Sequence, residues 1–328
     1  MNEIAPTVSK VLVQEDNLEH ADRIKVFCNN NNLIGVKSTK NDIMDLLASK
    51  VDLGAIFLSE EISDYGISGV DLGYEINKIR PELPIFLRKE SGVLIENMDD
   101  IQRASFCAIY DINEIDSLKS VIGEHIFSIY YPNALVTGIK EITTEALQHT
   151  FDDVNIVTSQ PYLIKDRIIY GQLFSLIEIE SSWCRGYMML QSDEDNVINM
   201  VKSEMLQSKE YLDFRSINDV LSEITNMIWG GIKARYVSEE DRRTGGAGTQ
   251  VPIIINHQHK YITFGTDIPQ LCFKYNMKRN CENGDGDNKD EIALYQKFVF
   301  NLNWEPENFS ENQTSVDDLL DSGELEFF

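Results

Sequence analysis

Residues 10–30 read KVLVQEDNLEHADRIKVFCNN. The apolar run Val11, Leu12 and Val13 ends in two acids, Glu15 and Asp16, and a helical pattern follows at once. A short continuous apolar run between polar residues suits a strand buried on both faces. The same unit recurs outward from it. LIGVKS (33–38) reads as a second strand, followed by the helical KNDIMDLLASK (40–50). DLGAIFLSEE (52–61) is a third strand, and GVDLGYEINKIRPE (69–82) carries the next helix. LPIFLRK (83–89) and FCAIYDI (106–112) complete five strands, and EIDSLKSVIGEHIF (114–127) closes the series as a helix. Strand–helix alternation of this kind predicts an α/β fold, a doubly wound parallel sheet.

A strand ending in acids within a five-fold β/α series resembles the receiver domain of bacterial two-component signalling. In that family a carboxylate pair after the first strand binds Mg²⁺, and Glu15 and Asp16 stand there. The later positions depart from the family. Its phospho-acceptor Asp ends strand three, where this chain has Phe57, Leu58 and Ser59 with Glu60 next. Its Thr or Ser after strand four is replaced near Leu87 and Arg88, and its Lys-Pro after strand five near Tyr110 and Asp111. The resemblance therefore implies the fold without the phosphorylation chemistry: a pseudo-receiver over residues 1–128, acting as a scaffold, dimerisation or docking module. Another flavodoxin-like domain fits the same pattern.

At 328 residues the chain is long for one core, so two domains are expected. Its 54 acids against 29 bases give a formal charge of −25. Such a surface repels phosphate backbones and anionic lipid, which disfavours nucleic acid and membrane as partners. It suits a protein partner with a basic patch, and solubility alone also accounts for it. The five cysteines show no paired spacing, as for free thiols in a reducing compartment. The start, MNEIAPTVSK, lacks the apolar core of a signal peptide, and no run is long enough to span a bilayer. A cytoplasmic location is the expectation.

From residue 130 the organisation changes. YYPNALVTGIKEITTEALQHTF (130–151) is an amphipathic helix, with Leu135, Ile139, Ile142 and Leu147 near one face. VNIVTSQPYLI (154–164) and GQLFSLIEIESSWCRGYMMLQSD (171–193) alternate like antiparallel strands, and EDNVINMVKSEML (194–206) is helical. VPIIINHQHKYITFG (251–265), QLCFKYNMK (270–278) and IALYQKFVFNLNW (292–304) are further strands. Strands punctuated by a few helices predict an α+β domain over 129–304 with an antiparallel sheet. The polar, Gly-rich stretches EEDRRTGGAGTQ and RNCENGDGDNKDE read as exposed loops.

One helix carries the candidate chemistry: NDVLSEITNMIWGGIKARY, residues 218–236. Val220, Ile224, Met227 and Ile228 form an apolar stripe, and Asp219, Glu223 and Asn226 share the other face. On spacing alone such a polar face is most often merely solvated. The wider pattern resembles the CheX, CheC and FliY family of chemotaxis phosphatases. Their motif runs Asp or Ser, three residues, Glu, two residues, Asn, then roughly twenty-odd residues to Pro. Asp219, Glu223, Asn226 and Pro252 fill those positions. Met227, Ile228, Trp229 and Gly230 match the CheX flavour of the residues after Asn, and the single motif copy favours CheX.

The resemblance implies a phosphatase acting in trans on the aspartyl phosphate of a phosphorylated CheY-type response regulator. Asn226 would orient the attacking water, and Glu223 would pair with the regulator's active-site Lys. Asp219 would support them, and Pro252 would shape the neighbouring strand. The protein would need no cofactor of its own, the Mg²⁺ being bound in the regulator. A homodimer is also in keeping with the family. The alternative is a non-catalytic adaptor that binds the regulator, and a pseudo-receiver that covers the phosphatase face in cis is a third possibility. Metal chemistry is not expected: His257 and His259 lack further ligands, and NGDGDNKDE fails the EF-hand pattern.

Residues 305–328 contain acids but no Lys or Arg, which predicts an acidic flexible tail. Within it, QTSVDDLLDS (313–322) closely resembles the C-terminal segment of CheZ, an unrelated chemotaxis phosphatase, and Phe327 and Phe328 end the chain. The resemblance implies a helix that docks on the regulator. Val316, Leu319 and Leu320 would supply its apolar face, with Phe327 and Phe328 adding a terminal contact.

Overall fold

A computed structural model describes residues 7–37, 43–49, 52–62, 66–90, 96–151, 154–165, 167–205, 214–237, 253–256, 259–265, 267–279 and 291–311. Its first unit is the expected parallel sheet. Strands β1 (Ser9–Gln14), β2 (Leu33–Val36), β3 (Ala55–Ser59), β4 (Ile85–Arg88) and β5 (Ala108–Tyr110) lie in the order β2-β1-β3-β4-β5, every neighbouring pair parallel. That is the doubly wound order seen in flavodoxin-like and receiver folds.

Helices α1 (Leu18–Asn30), α2 (Ile43–Ser49), α3 (Gly69–Ile79), α4 (Asp100–Ala104) and α5 (Leu118–His125) link or close the strands. Their starts follow from side chains that compete for the first free amides. Asn17 caps α1 by accepting from the amides of Glu19 and His20, at 3.0 and 3.3 Å. Asp99 and Gln102 form a reciprocal capping box at α4. Two apolar clusters sandwich the sheet. Ile24, Phe27, Leu118 and Ile122 pack on one face with Val11 and Phe57, while Leu46, Leu47, Leu72 and Ile76 pack on the other with Leu12 and Ile56. Burial on both faces is why these strands read as unbroken apolar runs.

The second unit is α+β. Strands β6 (Val154–Thr158), β7 (Tyr162–Ile164), β8 (Leu173–Glu180), β9 (Cys184–Ser192), β12 (Gln270–Arg279) and β13 (Glu291–Trp304) form an antiparallel sheet in the order β6-β12-β13-β9-β8, with β7 also paired to β12. Helices α6 (Asn133–Thr150), α7 (Glu194–Met205) and α8 (Phe214–Tyr236) complete it, with α8 packing against α6, α7 and β8. Within the stretch read as a strand at 251–265, β10 (Ile254–Asn256) pairs antiparallel with β11 (Tyr261–Thr263) in a small separate sheet. His259 is exposed in its turn, and His257 lies outside the described residues.

α6 and α8 approach closely because two glycines allow it. A Cβ on Gly231 would meet Ile142 Cγ2 at 2.6 Å, and one on Gly138 would meet the Tyr236 hydroxyl at 1.6 Å. Close approach thus accounts for Gly231. A Gly231→Val change forces a branched side chain into this seam, and overpacking of that kind costs about 1–3 kcal/mol. We expect a lower urea midpoint at unchanged slope, despite the gain of about 0.3 kcal/mol in helix propensity that Val brings over Gly.

The two units join where β1 begins. Val8 bridges Tyr162 in parallel, Leu163 N donates to Val8 O at 2.8 Å, and Ser9 Oγ donates to Leu163 O at 2.8 Å. The leading ends of the parallel strands therefore face the second unit. Their trailing ends, with Glu15, Ser59 and Arg88, open on the opposite side. The four described cysteines, Cys28, Cys107, Cys184 and Cys272, are free, and burial pushes the Cys28 thiol up to about 12.

Candidate functional site

α8 buries a seam of Ile217, Leu221, Ile224, Ile228 and Ile232, recurring every three or four residues. Val220 and Met227, read from the sequence as part of the main stripe, lie at its margins and are only partly buried. Asp219, Glu223 and Asn226 are all exposed on the other side. No described residue of the receiver-like unit covers them, so cis occlusion of this face is absent among the described residues. Glu223 and Asn226 are three residues apart, about 4.5 Å along the axis, so both point the same way from one rigid rod.

Three attachments hold that rod. Next to Asn226, the Thr225 hydroxyl donates to Leu221 O at 2.7 Å and lies 2.7 Å from Ser175 Oγ on β8. Thr225 has spent its one proton on the carbonyl, so Ser175 is the donor in that second bond. Beyond Asn226, the α6 seam at Gly231 fixes the helix laterally. At the far end, Trp183 Nε1 donates to Tyr236 O at 2.9 Å, and Arg235 pairs with Glu141 at 2.7 Å and with Glu311 at 3.3 Å. Phe309 packs on Trp183 and Tyr236, with ring centroids 5.1 and 5.2 Å away. The described chain thus ends at Glu311, beside the C-terminal end of α8. Along the helix axis, Arg235 is about 14 Å from Asn226.

Pro252 and the tail residues Val316, Leu319, Leu320, Phe327 and Phe328 lie outside the described residues. The sequence reading missed Ser175 and Thr225. A threonine in a helix interior was the available signal, since its hydroxyl must find a partner there.

At the other end of the molecule, Glu15 is buried and Asp16 exposed. Glu15 is engaged by Arg88: Nη2 donates to its Oε1 at 3.2 Å and Nε to its Oε2. Glu60 is fully buried and accepts from the Glu90 amide at 2.6 Å. Among the described residues, no group of three or more His, Cys, Asp or Glu side chains is arranged to hold a metal ion.

The architecture so far is a doubly wound parallel domain followed by an α+β domain that displays a polar helix face. Residues 173–276 match the family model for the chemotaxis phosphatase CheX, a stretch that includes Asp219, Glu223, Asn226 and Pro252. A CheC-like superfamily protein from Shewanella is 15% identical with a TM-score of 0.34, covering 52% of this chain and 99% of that one. The response regulator TrrA from Thermotoga maritima is 15% identical with a TM-score of 0.28, covering 35% of this chain and 99% of that one. A response regulator receiver domain protein from Clostridium thermocellum is 14% identical with a TM-score of 0.30, covering 36% of this chain and 96% of that one. No curated protein matches the chain. Among the described residues, no helix is long and apolar enough to cross a membrane.

Proposed function

We propose that this chain hydrolyses the aspartyl phosphate of a CheY-type response regulator in trans. The observation that carries the reading is the exposed Glu223–Asn226 pair on a triply anchored helix, within the stretch that matches CheX. An acyl phosphate is already activated, and the Mg²⁺ that neutralises its charge belongs to the regulator. Hydrolysis still requires a water held in line with the bond to be broken. A neutral carboxamide offers both a donor and an acceptor, so Asn226 fixes that water without being ionised or consumed. The water oxygen bonds to phosphorus, the phosphorus–aspartate bond breaks, and inorganic phosphate leaves with the regulator's carboxylate restored. Glu223 anchors the helix by pairing with the regulator's active-site Lys, and Asp219 supports it from one turn earlier. The readout is the decay of phosphorylated regulator with and without this protein. Acceleration by wild type supports the reading, and unchanged decay contradicts it.

The tail serves capture. Its undescribed part begins beyond Glu311, at the end of the helix that carries Asn226. A peptide tethered there raises the local concentration of a regulator it binds. Deleting residues 313–328 is expected to raise KM at least several-fold and to leave kcat within about two-fold. Equal rates for the deletion and the full chain at low regulator concentration would return the tail to a solvated acidic segment.

A further inference from the structure

The receiver-like fold implies a divalent cation at the trailing ends of β1 and β3, where doubly wound sheets bind ligands. The residues present do not fit one. Arg88 is 2% exposed and spends all five of its N–H donors in this pocket. Nε and one Nη2 hydrogen go to the two oxygens of Glu15, and the other Nη2 hydrogen goes to Ser59 Oγ at 2.8 Å. Nη1 donates to Lys89 O at 3.3 Å and to the Glu90 carboxylate. Glu15 Oε1 also accepts from the Asn17 amide at 2.9 Å, so both its oxygens are already turned inward. Glu60, adjoining Ser59, is tied to the Glu90 amide. The Tyr110 hydroxyl, at the end of β5, is buried without a hydrogen-bond partner among the described residues, and burial raises its pKa. The guanidinium supplies the positive charge that a bound ion would supply, and it is covalently part of the chain.

We propose that Arg88 is a resident counter-cation that takes the place of a divalent ion and holds the receiver-like unit in one state, independent of Mg²⁺. The bonds it makes link β1, β3, β4 and the loop after β4. That fixed charge suits a unit whose opposite end is joined to the second sheet through Val8 and Ser9.

Mn²⁺ binding to the full chain, followed by electron paramagnetic resonance at about 150 mM salt to screen diffuse surface binding, tests this. Wild type is expected to show no site that depends on Glu15, so Glu15→Gln leaves its titration unchanged. Arg88→Ser is expected to gain one Mn²⁺ site, together with a rise of a few degrees in melting temperature on adding millimolar Mg²⁺. Arg88→Ser/Glu15→Gln is expected to lose both gains. A stoichiometric Mn²⁺ site in wild type that a folded Glu15→Gln protein lacks would overturn the proposal, and that measurement does not depend on whether Arg88→Ser folds. A folded Arg88→Ser protein that gains no site would overturn it as well.

Discussion

Asn226→Ala is expected to lower kcat for regulator dephosphorylation by about 100-fold or more, with KM changed little. The side chain is exposed and lies on a helix held elsewhere by Thr225, Gly231 and Tyr236, so the fold loses nothing with it. Surface substitutions of this kind shift stability by within about 0.5 kcal/mol. What is lost is the ordering of one water, an effect confined to the transition state. Asn226→Gln sharpens the test. It keeps the carboxamide but adds a methylene, and a displacement of about 1 Å at a reacting centre costs about 100-fold. Glu223→Ala separates differently, because a group that pairs with the partner's Lys acts in binding, so KM is expected to rise more than kcat falls. Stopped-flow decay of phosphorylated regulator over a range of concentrations resolves the two parameters.

Glu15→Ala is expected to be the most destabilising of the changes considered in the receiver-like unit, at about 3–5 kcal/mol. The side chains of Glu15 and Arg88 are 2% and 3% exposed, so truncating one leaves the other a buried charge short of its partner. Replacing both by apolar residues of similar volume, Glu15→Leu with Arg88→Met, is expected to cost less than Glu15→Ala alone. A buried pair contributes little net stability, whereas its breakage leaves an uncompensated charge. Urea unfolding of wild type, Glu15→Leu, Arg88→Met and the double variant yields the coupling energy directly. Strictly additive losses would show that the two groups do not act as a pair.

These two sites differ in how far they could be read from the amino-acid chain. Val11 to Val13 and Ile56 to Leu58 were legible as strands because a parallel sheet buries both faces and leaves no alternation to misread. The polar face of α8 was legible because helical spacing places Asp219, Glu223 and Asn226 together wherever the helix packs. The ion pair at Arg88 was not. Glu15 and Arg88 are 73 residues apart, and local pattern does not encode which side chain crosses from one strand end to another. An arginine at the end of the apolar run in LPIFLRK was the one clue, since burying it demands a partner.

Three further features escaped for related reasons. The short helix α4 announces itself only through the Asp99–Gln102 capping box, being too brief to show periodicity. VNIVTSQPYLI divides into β6 and β7 around Pro161, which cannot donate to a sheet ladder. The α8 seam takes Leu221 rather than its neighbour Val220, because α8 packs against α6 and β8 together, and a single helix cannot reveal where two neighbours will lie.

The central claim is that the exposed face of α8 performs hydrolysis and does more than bind. Release of inorganic phosphate from phosphorylated regulator, with this protein present at about one-hundredth of the regulator concentration, tests it most directly. The account predicts many turnovers per molecule for wild type and near-background release for Asn226→Ala, with both proteins binding the regulator alike. Background release by wild type despite phosphate-dependent binding, or full turnover retained in Asn226→Ala, would contradict it.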